Sequence, residues 1–269
     1  MESLAVSHRS NPALSLKNSP LALVLTQLRF PTYLHMEKHV GDIQESLRKL
    51  GLVRFSKEQT QQLMFGPEFK QSTSARWVFG NRARTEAVVL ADNFVVFEVS
   101  KYESFDAYLE RMLALFEPVR TQATLDCVEQ VGIRYLDVLR DSEKLKIEEM
   151  ICDSLRGLEA STLGLEQSNY QFIVQGVTPH GTLSVRSFEN SGKQFLPPDL
   201  QTEHLVFAAS LKQDARFRVV DFDHIHRGDI DFDDSALGEK LWDLHDHTDT
   251  AFRQIVTPDA LELWKGEQR

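Results

Sequence analysis

Two cysteines, Cys127 and Cys152, are all that a chain of 269 residues contains. Their contexts are unrelated and their spacing fits no metal site, so they read as reduced structural thiols of a cytosolic protein. Cys127 has no cationic neighbour in sequence and is no candidate nucleophile. Positive charge is also short: 30 Lys and Arg stand against 40 Asp and Glu, for a net charge of −10. That balance argues against nonspecific binding to a phosphate backbone. Long apolar runs are missing as well. Leu21–Leu28 is too short to span a bilayer and is broken by Thr26 and Gln27, so no membrane partner and a cytoplasmic location are expected. There is no nucleophile elbow, no Gly-rich phosphate loop, no H-E-x-x-H and no dinucleotide fingerprint. The sequence thus leans away from an enzyme.

What the chain has is apolar residues, 42% of the total with 17 Phe, enough for a full core. Its organising stretch is Phe94–Val119. Val95, Phe97 and Val99 alternate with Val96, Glu98 and Ser100, the period of a strand. The period then changes: Phe105, Leu109, Met112 and Phe116 fall on one helical face. Ser104 is placed to cap that helix, Asp106 to favour its first turn, and Pro118 to end it. Phe217–Ile255 repeats the plan, with Leu237, Leu241, Leu244, Ala251 and Ile255 as the stripe and Asp233–Ser235 as cap and first turn. The expectation is an α+β fold of largely antiparallel sheets with helices packed on one face. An internal duplication would then comprise an arm over 1–19, a first half over 20–160 and a second over 161–269, forming one compact unit.

Between these landmarks, Leu21–Phe30 reads as a strand with Leu23, Leu25, Gln27 and Arg29 on one face. Met36, Val40, Ile43, Leu47 and Leu50 form a helical stripe closed by Gly51. Residues 56–74 have no consistent period and read as a long loop or insertion. Strands are expected at Trp77–Phe79, Glu86–Leu90, Val128–Val138, Tyr170–Thr178, Gly181–Phe188 and Glu203–Leu211. Helices are expected at Glu143–Leu158 and Pro258–Trp264.

Three polar groups could carry chemistry. Asp221, Asp223, His224 and His226 sit in an acidic run; in a strand the two Asp would share one face and the two His the other. Such pairs could hold a divalent metal, although no cofactor is otherwise expected. The competing reading is a solvated strand end and helix cap. Arg29, Arg134 and Tyr135 form the second group. An arginine inside an apolar strand must meet a carboxylate, carbonyls or an anion. Glu98 or Asp137 would make a structural salt bridge; convergence in a cleft would instead take a phosphate or a partner's carboxylate. Third, Arg76, Arg82 and Arg84 flank Trp77 near Gly80-Asn81, where a basic hairpin could touch nucleic acid, against the net charge. His245 and His247, two apart on a helix, should splay to the surface. Finally, Leu63, Met64, Phe65 and Phe69 make an apolar cluster that the core does not need, the mark of an interface.

Four segments, NSPLALVLTQLRF, VFEVSKYESFDAYLERML, VGIRYLDV and FRQIVTPDALELW, carry a resemblance. Within them, Ser19-Pro20-Leu21, Tyr102-Glu103-Ser104-Phe105 and Gly132-Ile133-Arg134-Tyr135 are the most specific. From Asn18 to Trp264 the chain resembles a family of sporadically distributed bacterial and archaeal proteins with no assigned activity. What the resemblance implies is limited: patchy distribution is common among toxin–antitoxin and anti-phage genes. With the missing catalytic motifs, it leads to the expectation of a regulatory protein that binds another protein, the product of a neighbouring gene. A homo-oligomer is compatible with this. The alternatives are a metal-dependent enzyme or nucleotide-binding protein using residues 221–234, and a nucleic-acid-binding regulator.

Overall fold

A computed structural model describes residues 14, 16–64, 70–157, 160–165, 171–200, 202–208, 211 and 214–266, with side chains outside 60–74 and 160–161. Nine strands form one antiparallel sheet: β1 (Leu21–Arg29), β2 (Arg54–Met64), β3 (Lys70–Gly80), β4 (Glu86–Leu90), β5 (Phe94–Val99), β6 (Cys127–Leu139), β7 (Gln171–Val177), β8 (Thr182–Gly192) and β9 (Ala215–Asp231). Their spatial order is β2-β3-β4-β5-β1-β6-β9-β8-β7. The main helices are α1 (Met36–Lys49), α2 (Phe105–Ala123), α3 (Asp153–Arg156), α4 (Asp234–Ile255) and α5 (Pro258–Lys265). The α+β class expected from the sequence is therefore the one found. No helix among the described residues is long and apolar enough to cross a membrane.

The period-two alternation sends the residues of the central strands to two separate cores. Val24 and Leu28 of β1, Val95 and Phe97 of β5, and Val131 and Ile133 of β6 pack beneath the helices. The α1 stripe buries Ile43 and Leu47 completely in that core, each worth roughly 1.5–3 kcal/mol. Ser104 caps α2 by accepting from the Ala107 N–H at 3.2 Å, and Asp233 caps α4 by accepting from Ser235 and Ala236. The opposite face has its own core of Val78, Val89, Val96, Leu136 and Val219. It is covered by a strap, residues 193–200 and 202–208, that buries Phe195, Leu205 and Phe207 against it.

The strand order runs outward in a similar way on either side of the central β1–β6 pair, with five strands on the β1 side and four on the β6 side. β1 bonds β5 on its outer side and β6 bonds β9; β5 leads into α2 and β9 into α4. A cut at 160 would assign β6, at the centre of the sheet, to the first half.

Four local expectations are corrected. Residues 56–74, read as a loop, belong mostly to the β2–β3 hairpin, whose pairing runs from Arg54↔Gly80 to Met64↔Lys70. Only Trp77–Gly80 of β3 pairs with β4, so the rest of the hairpin extends past the sheet and needs no buried face. Pro118 does not end α2, which continues to Ala123; Pro118 and Val119 are both buried, and packing outweighs the lost N–H. The Glu143–Leu158 helix is replaced by a 3₁₀ turn at Ile147–Glu149 and the single-turn α3. Ile151 there bridges Val256 and the Cys152 N–H donates to the Ile255 carbonyl at 2.7 Å, so tertiary hydrogen bonds displace the helical ones. Of the strand expected at 203–211, residues 203–208 supply part of the strap instead, and 209–210 lie outside the described residues.

Candidate functional site

Arg134 and Tyr135, adjacent in β6, point to opposite faces, and each belongs to a different cavity. On the strap face Arg134 donates through Nε and Nη2 to both Asp221 oxygens at 2.8 Å. Its Nη1 donates to Asp199 of the strap at 2.8 Å. Arg186 adds a second cation, 2.8 Å from Asp221 Oδ2. Burial opposes the charge on Arg134, but the hydrogen bonds to Asp221 and Asp199 outweigh it and raise its pKa. Asp199 is half-buried; the same arginine holds its carboxyl below the usual range despite the cost of burial. The salt-bridge reading of Arg134 stands, but the partners are corrected: they are neither Glu98 nor Asp137. Asp221, expected on a solvated strand end, is fully buried.

The strap is fastened at more points. His204 Nε2 lies 2.7 Å from Glu98. Arg84 donates to the His204 carbonyl at 3.1 Å and to the Glu203 carbonyl. The Val206 N–H donates to the Arg84 carbonyl at 2.7 Å. Beneath it lies a cavity of about 280 Å³ lined by Glu58, Arg76, Glu98, Arg134, Asp199 and Asp223, among others. Burial raises the Asp223 pKa from its ordinary value. Arg29 does not reach this group. It is exposed at the end of β1, four residues beyond Leu25, the residue paired with Arg134, or about 13 Å along the strand.

The hairpin arginines also separate. Arg76 is paired with Glu58 at 3.0 Å, Arg82 is exposed, and Arg84 is spent on the strap, so the three do not form one basic patch. Met64 is the last residue of β2; Phe65 and Phe69 lie outside the described residues.

On the helix face, His224 is buried with Nδ1 3.1 Å from the Leu244 carbonyl and Nε2 2.9 Å from the Thr178 hydroxyl. A carbonyl only accepts, so Nδ1 carries the proton and Nε2 accepts. Burial lowers the His224 pKa to about 4, which keeps the ring neutral. His226 stands 3.2 Å from the His180 carbonyl. The Asp and His pairs therefore face apart. Among the described residues no three His, Cys, Asp or Glu side chains gather in a way that could hold a metal.

His245 and His247 are half-buried rather than on the surface. His245 stacks on Phe105 with ring centroids 3.9 Å apart, and its Nδ1 is 2.7 Å from the Tyr135 hydroxyl. It helps line a second cavity of about 160 Å³ between β6, β9, α4 and the α2 corner. Asp137 lines it too. The residue is 4% exposed and its carboxyl makes no hydrogen bond or ion pair among the described residues. Burial, with the charge of Asp221, raises its pKa to about 8. Sequence reasoning missed its environment, although extending the Val131, Ile133, Tyr135 alternation by two residues reaches it.

Comparison with protein-family models and with curated proteins finds no match.

Proposed function

We propose that this is a cytoplasmic, non-catalytic interaction protein, the antitoxin-like or defence-related partner of a protein encoded nearby. The observation that supports it is β7. This strand closes one edge of the sheet and, among the described residues, pairs only with β8. Ile173, Val174 and Val177 of β7 are 58%, 49% and 90% exposed, on both faces of the strand, since alternate residues point opposite ways. Unpaired edge N–H and C=O groups beside exposed apolar side chains invite strand addition by a partner. The paired charges of the strap face give no comparable support to an enzyme.

The test is co-expression with the product of the adjacent gene, followed by size-exclusion chromatography. A stoichiometric complex is expected, with amide exchange in β7 slowed on binding. The double variant Ile173→Lys, Val177→Lys should abolish it. Absence of a complex, or a complex indifferent to both lysines, overturns the reading.

A further inference from the structure

The smaller cavity has a composition that points to an occupant. Five of its lining side chains are Asp or Glu, and none of the described ones is Lys or Arg. Its walls carry the rings of Tyr102, Tyr135, Phe222, Trp242 and Phe252. Phe222 and Phe252 meet edge to face with centroids 6.1 Å apart, as do Tyr102 and Tyr135 at 6.3 Å. Aromatic faces attract cations within about 6 Å, most strongly where water is excluded. Asp137 stands among them, 4% exposed and with no hydrogen bond or ion pair among the described residues.

A buried carboxyl left unpaired is costly, and a cation in the cavity would relieve that cost. Asp249, at the same wall, is already held by Arg253 at 2.8 Å, so Asp137 is the open position. At about 160 Å³ the space is below the roughly 300–1,000 Å³ of pockets for drug-sized ligands. That volume suits a group the size of one side chain.

We propose that this cavity is a binding site for an organic cation, an ammonium or guanidinium group whose charge meets Asp137 and whose carbon stem lies against the aromatic rings. The raised pKa of Asp137 fits an acid awaiting its counter-ion. Two sources carry this chemistry: a diffusible small amine, and a basic residue of the chain itself. Arg9 is the one Lys or Arg before Leu14, and Leu14 and Leu16 line the cavity. This inference is independent of the β7 reading.

The experiment is calorimetric titration of the full chain, and of the Arg9→Ala variant, with benzylammonium and with benzyl alcohol as the neutral match. Saturable binding of the ammonium alone to the unaltered protein, weakened at least tenfold by Asp137→Asn, supports a diffusible amine. The same selectivity appearing only in Arg9→Ala, and again lost with Asp137→Asn, supports a cation supplied by the chain. Tyr102→Leu is the second probe: it should weaken the ammonium severalfold while leaving the melting profile near that of the parent. Equal binding of ammonium and alcohol, no binding in either background, or indifference to both Asp137→Asn and Tyr102→Leu overturns the proposal.

Discussion

Two buried aspartates, Asp221 and Asp137, sit on adjacent strands and on opposite faces of one sheet, and they are treated in opposite ways. Asp221 is wrapped by Arg134 and Arg186. Asp137 has aromatic rings for neighbours and, among the described residues, no cation. The first arrangement pairs Asp221 with two cations and leaves that carboxylate little to offer a ligand; the second leaves a polar group waiting. Burial by itself is therefore a poor sign of a binding site, and what separates the two faces is whether the buried charge already has its counter-ion.

The largest expected effect lies on the strap face. Asp221→Ala leaves two arginines without their shared carboxylate, one of them buried, and breaking such a pair costs about 3–5 kcal/mol. Urea unfolding at neutral pH should show that loss. A cost under about 1 kcal/mol would mean that the pair is screened like a surface salt bridge, and the contrast between the faces would fail.

Asp137 should respond to pH instead. Its folded pKa, about 8, lies above its unfolded value, so the folded state holds a proton that the unfolded state has released. Stability is then fully present below the unfolded pKa and falls as pH rises from about 4 to 8, the reverse of an aspartate in a salt bridge. Asp137→Asn, which cannot ionise, should match the parent near pH 4 and exceed it at pH 9 by on the order of 2 kcal/mol. This is less than the full shift implies at 1.36 kcal/mol per unit, because the cavity admits solvent. Thermal melts across that range decide it: parallel curves for the two proteins would show that the carboxyl has a counter-ion at every pH.

The contrast also explains which parts were legible in the sequence. Helices α1, α2 and α4 were readable because their stripes and their caps, Ser104 and Asp233, act over three or four residues. The paired face was not. Arg134 and Asp221 are 87 residues apart, and only the offset of the β6–β9 ladder, where Arg134 opposes Asp223, brings them into reach. The hairpin arm was hidden for a different reason: with so little of it against the sheet, its polar sequence has no apolar alternation to display. Asp137 was within reach of the pattern, but no local rule reveals that a buried carboxyl will go unpaired.

The smallest effect tests how the strap is held. Arg84 reaches two strap carbonyls through its guanidinium and has φ 59, the left-handed region that costs an L-residue roughly 1–2 kcal/mol. Arg84→Ala loses the two hydrogen bonds and keeps the strained backbone, so it should destabilise by about 1 kcal/mol. Arg84→Gly loses the same bonds but relieves the strain, less the extra freedom that glycine gains in the unfolded chain, and should come out near neutral. Amide exchange at Leu205 and Val206 should nevertheless quicken alike in both variants, since the anchor is gone from each. If the glycine variant slowed that exchange back to the parent rate, the backbone conformation of residue 84, which also presents its carbonyl to the Val206 N–H, would be the anchor, and the guanidinium would be dispensable.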